Sequence, residues 1–150
     1  RQAFNCLGGA HRVITMLNIQ MIMPEQVDNE WPRLEKYIAR AGRRVESEFT
    51  TAELKEKCRG DNGWLLVDLG TGAAIVNREG DSLHIASLGG DFTKGWTESA
   101  LLWIELAAKL TKAQIITLKG RKGWLRLFKR YGWEDIGDGY IGKYHGRRCE

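Results

Sequence analysis

The sequence predicts one α/β domain of the α+β type, with a mixed, mostly antiparallel sheet of about six to seven strands flanked by four helices. Three short strand-like runs follow one another in the middle of the chain, separated by glycine-containing turns. Apolar residues at helical spacing precede and follow these runs. The 150 residues, 43% of them hydrophobic, suit a single domain with its own core.

The chain is predicted to open with a strand and a helix. Residues 17–23 form the strand, and Pro24 ends it at a turn. The helix covers residues 25–41 and is closed by Gly42. Its apolar side chains recur three and four residues apart, at Val27, Trp31, Leu34, Tyr37, Ile38 and Ala41.

A second helix is predicted to begin at Thr50, because a hydroxyl three residues ahead of the Glu53 carboxylate is a capping box. This helix ends near Gly60. Glycine-rich turns then separate three predicted strands of an antiparallel meander, which cover residues 63–68, 73–77 and 82–88.

In the second half of the chain, the spacing of the apolar residues is first typical of a helix, then of a strand, and then alternates once more between the two. Residues 97–110 carry the most regular helical pattern, and a β-branched strand follows at 113–118. The last helix is expected over about 122–131 and ends at Gly132. A closing hairpin has its strands at 133–136 and 140–144, with residues 137–139 as the turn.

Residues 1–15 are interpreted as an N-terminal extension to a single domain over 16–150, because Met16 stands just before the first predicted strand. Cys6, Cys58 and Cys149 are odd in number and widely spaced, which fits neither a disulfide framework nor a zinc pattern. They predict reduced thiols in a cytoplasmic protein without a metal site. No stretch approaches the roughly 20 apolar residues of a membrane span.

The segment from Lys119 to Trp133 carries a family resemblance. Its sequence Leu-Phe-Lys-Arg-Tyr-Gly-Trp at 127–133 is similar to the helix ending of the GNAT N-acyltransferase superfamily, in which an aromatic residue and a basic one precede a glycine and a second aromatic. In that superfamily the glycine caps the helix and the aromatic after it starts the next strand. The predicted order of elements after Met16 is also the GNAT order.

The resemblance implies a site for acetyl-CoA or another acyl-CoA. In the family a loop with the pattern Gln/Arg-x-x-Gly-x-Gly/Ala holds the pyrophosphate at a helix N-terminus. Here Phe92 and Thr97 stand at the first and last positions of that loop, and Gly95 matches. The backbone after the fourth strand would polarise the thioester. The cofactor residues implied are Leu88, Gly89, Lys94, Gly95, Trp96 and Thr97.

The family often uses a tyrosine hydroxyl that protonates the departing thiolate, four residues before the glycine. That position holds Phe128, and Tyr131 lies on a different azimuth of the predicted helix. His84 and Glu98 are the candidates for a catalytic base. Each also has an ordinary explanation, since His84 alternates within a strand and Glu98 suits the first turn of a helix.

A basic cluster surrounds the last predicted helix. It attracts phosphate in one interpretation, and nucleic acid or an acidic protein surface in others, while a solvated helix face explains it equally well. Trp96 and Trp103 lie where exposed aromatic residues would indicate contacts with other protein subunits. The cluster consists of Lys119, Arg121, Lys122, Arg126, Lys129 and Arg130.

Four residues depart from the family pattern at positions that carry chemistry: Phe92, Thr97, Arg121 and Phe128. These departures favour a non-catalytic structural or interaction subunit. The chain resembles degenerate GNAT domains of phage-encoded proteins, including internal virion proteins, so the host cytoplasm or a virion, as an internal or tail-associated component, is the expected location. An acetyl-CoA-dependent N-acyltransferase is the alternative, and nucleic-acid binding through the basic helix is the third.

Overall fold

A computed structural model describes residues 19–44, 49–60, 62–91, 96–119 and 124–144, and of residues 44, 96 and 97 it describes the backbone alone. Residues 1–15, interpreted above as an extension, lie outside these ranges. A single 3-10 turn, Pro24–Gln26, precedes the first α-helix. The α-helices are α1 (Val27–Arg44), α2 (Thr51–Arg59), α3 (Trp96–Leu110) and α4 (Trp124–Lys129). The strands are β1 (Gln20–Ile22), β2 (Trp64–Asp68), β3 (Gly72–Glu79), β4 (Ser82–Gly90), β5 (Ile115–Lys119), β6 (Glu134–Gly137) and β7 (Tyr140–Tyr144).

The seven described strands form one sheet in the order β1-β2-β3-β4-β5-β7-β6. The β4–β5 pair is parallel, and the other neighbouring pairs are antiparallel. The predicted α+β class, with a mixed and mostly antiparallel sheet and four flanking helices, is therefore confirmed.

Two apolar clusters, one on each face of the sheet, hold the helices in place. On the α1/α2 face, the buried side chains come from α1, α2 and strands β1, β2 and β3. On the α3/α4 face, a larger cluster joins α3 and α4 to β2, β3, β4, β5 and β7 and includes Phe128 and Trp133. The alternation of strand side chains between the two faces explains why the central strands are apolar on both sides.

Local sequence signals produce the predicted element ends. The Thr50 hydroxyl accepts from the Glu53 amide at 3.1 Å, and the Glu53 carboxylate accepts from the Thr50 amide at 2.8 Å, so the capping box is confirmed. The predicted hairpin turn is confirmed as well, because Gly137, Asp138 and Gly139 all have positive φ angles, of 99°, 56° and 82°. The described first strand is shorter than predicted.

A buried carboxylate ties α1 to the sheet. Asp68 at the end of β2 is 3% exposed and accepts hydrogen bonds from the Arg33 guanidinium at 2.7 Å and from the Gly70 amide at 2.8 Å. A buried charge needs such partners, because desolvation without them is costly. The Asp68–Arg33 pair therefore joins α1 to the end of β2.

Glycine at position 89 allows β4 to approach α1 closely. A Cβ atom placed there would lie 2.5 Å from the Tyr37 carbonyl oxygen and 3.2 Å from the Ala41 Cβ. Since the carbonyl belongs to the helix backbone, one of the two elements would have to move to admit a side chain.

We predict that Gly89→Ala lowers the free energy of unfolding by about 1–3 kcal/mol, because overpacking forces backbone shifts. Gly42→Ala is the matched control: no atom lies within 4 Å of its added Cβ, and alanine should stabilise the helix by up to about 1 kcal/mol. Urea unfolding of both variants measures the difference. Equal stability of the two variants would contradict this account of Gly89.

Candidate functional site

The strands β4 and β5 separate partway along the sheet. Their parallel ladder runs from the Ser82–Ile115 pair to the Ile85–Leu118 pair, whereas β4 continues beside β3 as far as Gly90. A register shift in the β3–β4 ladder leaves Ala86 without a partner just where the separation begins. Such a bulge bends the strand that contains it. We call the resulting opening between residues 86–90 and β5 the splay.

The splay contains the residues expected to polarise an acyl group. Leu88 is buried on the α3/α4 face, and Gly89 faces α1 on the opposite side. Among the other residues expected to bind the cofactor, Lys94 and Gly95 lie outside the described residues. Trp96 and Thr97 begin the backbone of α3, and their side chains are not described.

His84 lies on the α1/α2 face of β4, one residue before the ladder with β5 ends. Its Nδ1 atom hydrogen-bonds with the Thr117 hydroxyl at 2.8 Å, and the Tyr140 ring lies tilted against it at a centroid distance of 5.9 Å. These contacts orient the imidazole beside the splay.

Glu98 is bound to a tyrosine on a neighbouring element. The Tyr131 hydroxyl donates a hydrogen bond to Glu98 Oε1 at 3.0 Å. Burial and this carboxylate raise the pKa of Tyr131. The sequence did not indicate the contact, because α4 ends at Lys129 and Tyr131 therefore lies beyond the helix, where a helical azimuth does not apply.

The family position of the proton donor is part of the apolar core. Phe128 is 2% exposed, and its ring lies 5.5 Å from Trp124 and 5.6 Å from Trp133, centroid to centroid. Trp103 is half-buried against the same cluster, so it is less exposed than expected. Phe128 therefore packs as a core residue and brings no hydroxyl to the site.

The sequence predicted no role for the Ser87 side chain. Its hydroxyl is buried in the splay and has no hydrogen-bond partner within the described part of the chain. Because Ser87 pairs with Ile75, whose side chain belongs to the α1/α2 cluster, the hydroxyl lies on the α1/α2 face. An unpaired buried hydroxyl costs about 1–3 kcal/mol.

The predicted basic cluster does not form one surface. Arg126, Lys129 and Arg130 are exposed on and just after α4. Leu118 is buried on the α3/α4 face. Because neighbouring side chains of a strand point to opposite faces, Lys119 lies on the α1/α2 face. Arg121 and Lys122 lie outside the described residues.

Other groups that could carry chemistry have structural partners. Asp91 is paired with Arg40 at 3.2 Å. Burial raises the pKa of Cys58 to about 12, which keeps the thiol protonated and unreactive. Within the described ranges, no group of three or more His, Cys, Asp or Glu side chains could hold a metal ion. No helix among them is long and apolar enough to cross a membrane.

Solved structures of acetyltransferases share this fold. Gcn5 of Tetrahymena superposes with a TM-score of 0.64 at 9% identity, covering 87% of this chain and 97% of the other. A GNAT-family acetyltransferase of Staphylococcus aureus gives 0.62 at 11% identity, with 87% and 99% covered. One from Brucella melitensis, in complex with acetyl-CoA, gives 0.59 at 13% identity, with 88% and 90% covered. The chain therefore has the GNAT fold.

The sequence alone gives no such match: no protein-family model and no curated protein matches the chain.

We predict that Glu98→Ala lowers the pKa of Tyr131, because the variant loses both the hydrogen bond and the negative charge that favour the protonated phenol. A raised pKa in the folded state adds stability below the unfolded pKa of about 10 and loses it as the pH rises through the folded value. Ring-carbon NMR of tyrosine against pH measures the shift, with Tyr131→Phe assigning the signal. Glu35→Ala, which removes an exposed carboxylate of α1, is the control. An unchanged Tyr131 titration in Glu98→Ala would refute the assignment.

Proposed function

We propose that this GNAT-fold chain is a non-catalytic structural or interaction subunit, acting in the host cytoplasm or in a phage virion as an internal or tail-associated component. The observation that carries the proposal is Phe128, which occupies the position of the family's proton donor and packs between Trp124 and Trp133. A phenol could reach a leaving group from that position only if the aromatic cluster opened. The resemblance to degenerate phage GNAT domains supports the phage setting.

The pairing of nearby polar groups agrees with a role without turnover. The carboxylates of Asp68 and Asp91 bind arginines, and Glu98 accepts from Tyr131. A carboxylate engaged in this way is a poorer base than one left free beside a substrate. Each of these contacts can be explained by its contribution to the stability of the fold, and none requires a catalytic role.

Acyl-CoA fits the described backbone in part. Beyond Ile85, β4 no longer pairs with β5. Backbone groups near Leu88 and Gly89 could therefore hold an acyl carbonyl. The N-terminus of α3 suits a pyrophosphate by its dipole. Glu98, in the first turn of that helix, places a negative charge near the same end.

An acetyl-CoA-dependent N-acyltransferase is the second candidate, favoured by the position of His84 beside the splay. Acyl-CoA, when bound, would supply the activated acyl group. The His84 imidazole, oriented by Thr117 and Tyr140, would accept the proton of an attacking amine. The backbone of the splay would then position the acyl carbonyl.

We predict no thiol release above the uncatalysed rate when the purified protein is mixed with acetyl-CoA and a panel of amines, with an active GNAT enzyme assayed in parallel. Calorimetric titration of acetyl-CoA, with Gly95→Glu as the phosphate-repelling control, separates binding from turnover. Turnover that His84→Ala abolishes, in a variant that keeps its thermal stability, would replace this proposal with the second candidate.

The assembly role predicts that the protein is present at a fixed copy number in purified particles. Quantitative mass spectrometry of gradient-purified virions measures the ratio to the major capsid protein. A protein found only as a free monomer, with no enrichment in particles, would refute the virion assignment.

A further inference from the structure

The turn between α2 and β2 presents an asparagine followed by a glycine. Asn62 and Gly63 lie between Arg59, the last residue of α2, and Trp64, the first of β2, and both are exposed. Gly63 has a φ angle of 91°, in the left-handed region that glycine adopts without strain. The pair is therefore in contact with water and outside any helix or strand.

The side-chain amide of an asparagine can react with the backbone nitrogen of the residue that follows it. The attack needs a nitrogen that no side chain shields and no hydrogen bond holds. Glycine has no Cβ atom, so the nitrogen of Gly63 is unshielded on that side. Its amide donates to no other described residue, although the Gly63 carbonyl accepts from the Arg78 amide at 3.0 Å. Both requirements are met at this turn.

The other two asparagines of the described residues are held by regular secondary structure. Asn29 lies in α1, and its Nδ2 atom donates to the Glu30 carboxylate at 3.3 Å. Asn77 is 8% exposed in β3, and the backbone amide that follows it is the one that donates to Gly63. A helix or a strand must open locally before either asparagine can react, and that opening costs free energy that the turn does not require.

We propose that Asn62 is a site of spontaneous deamidation, through a succinimide formed with Gly63. The Gly63 nitrogen bonds to the carbonyl carbon of the Asn62 side chain, the bond from that carbon to its amide nitrogen breaks, and ammonia leaves with the proton that Gly63 gives up. Water then opens the imide ring. Aspartate forms when the bond between the side-chain carbonyl and the Gly63 nitrogen breaks, and isoaspartate forms when the bond from the main-chain carbonyl breaks.

Both products change the surface of the protein beside the end of α2. Each adds one negative charge to a chain whose formal net charge is +4. Isoaspartate also routes the main chain through the former side chain, which lengthens the link to Gly63. Because the Gly63 carbonyl accepts from Arg78 next to the Trp64–Asn77 pair, this product disturbs the start of the β2–β3 ladder. These changes follow from the turn alone and do not depend on the function proposed above.

Ageing of the purified full chain at neutral pH and body temperature tests the proposal. Peptide mapping by mass spectrometry, after digestion at mildly acidic pH, measures the deamidated fraction at each asparagine over time. We expect Asn62 to convert at least about tenfold faster than Asn29 or Asn77, since local opening that costs about 1.4 kcal/mol already slows a reaction tenfold. Labelling with an isoaspartate methyltransferase should identify isoaspartate in the same peptide.

A synthetic peptide of residues 59–66 separates the effect of the fold from that of the sequence. If the turn leaves the pair free to react, the folded chain should convert at a rate no more than about fivefold below that of the peptide. A slower folded rate would show that the turn protects Asn62 and would overturn the proposal.

Asn62→Gln and Asn29→Gln are the matched variants. Glutamine has one more methylene and would have to close a larger ring, so it reacts more slowly than asparagine. Ion-exchange chromatography should show an acidic form that accumulates in the unchanged protein and in Asn29→Gln, and that is reduced in Asn62→Gln. Thermal unfolding confirms that both variants are folded. Equal conversion of the three asparagines, or an acidic form that accumulates as fast in Asn62→Gln as in the unchanged protein, would also refute the proposal.

Discussion

The contact between the end of β4 and helix α1 at Gly89 is the constraint on which the site depends. Because no side chain separates the strand from the Tyr37 carbonyl, β4 follows the helix, while β5 stops pairing with β4 at Leu118. The bulge at Ala86 lets the strand bend without breaking its ladder to β3. The splay is therefore a consequence of how tightly β4 is held on one side.

At the splay, the two faces of the sheet differ in chemistry. On the α3/α4 face, Phe128 and Trp133 belong to the same apolar cluster as Leu88 of the splay. On the α1/α2 face, the same strands present His84, Ser87 and Lys119, of which two are half-buried and one is buried. Polar chemistry is thus available on one side of the opening, and rigid packing supports it from the other.

The sequence predicted the fold well, because its signals are local. Helical periodicity, the Thr50–Glu53 capping box and the glycine turn at 137–139 each act within a few residues, and each element has its predicted type. The candidate site was harder to predict. Ser87 becomes unusual only because β5 diverges from β4, and Tyr131 meets Glu98 only because α4 ends early. Both facts depend on tertiary contacts that no short motif encodes.

The placement of Lys119 shows how much a single strand position decides. In the sequence it belongs with the lysines and arginines around α4, and charge alone would assign it to their surface. Because side chains alternate along a strand, Lys119 lies on the opposite face of the sheet from Leu118, next to the splay. A basic segment is thereby divided between two surfaces. The exposed cations of α4 lie on a solvated helix face, whereas Lys119 is half-buried on the other side of the sheet.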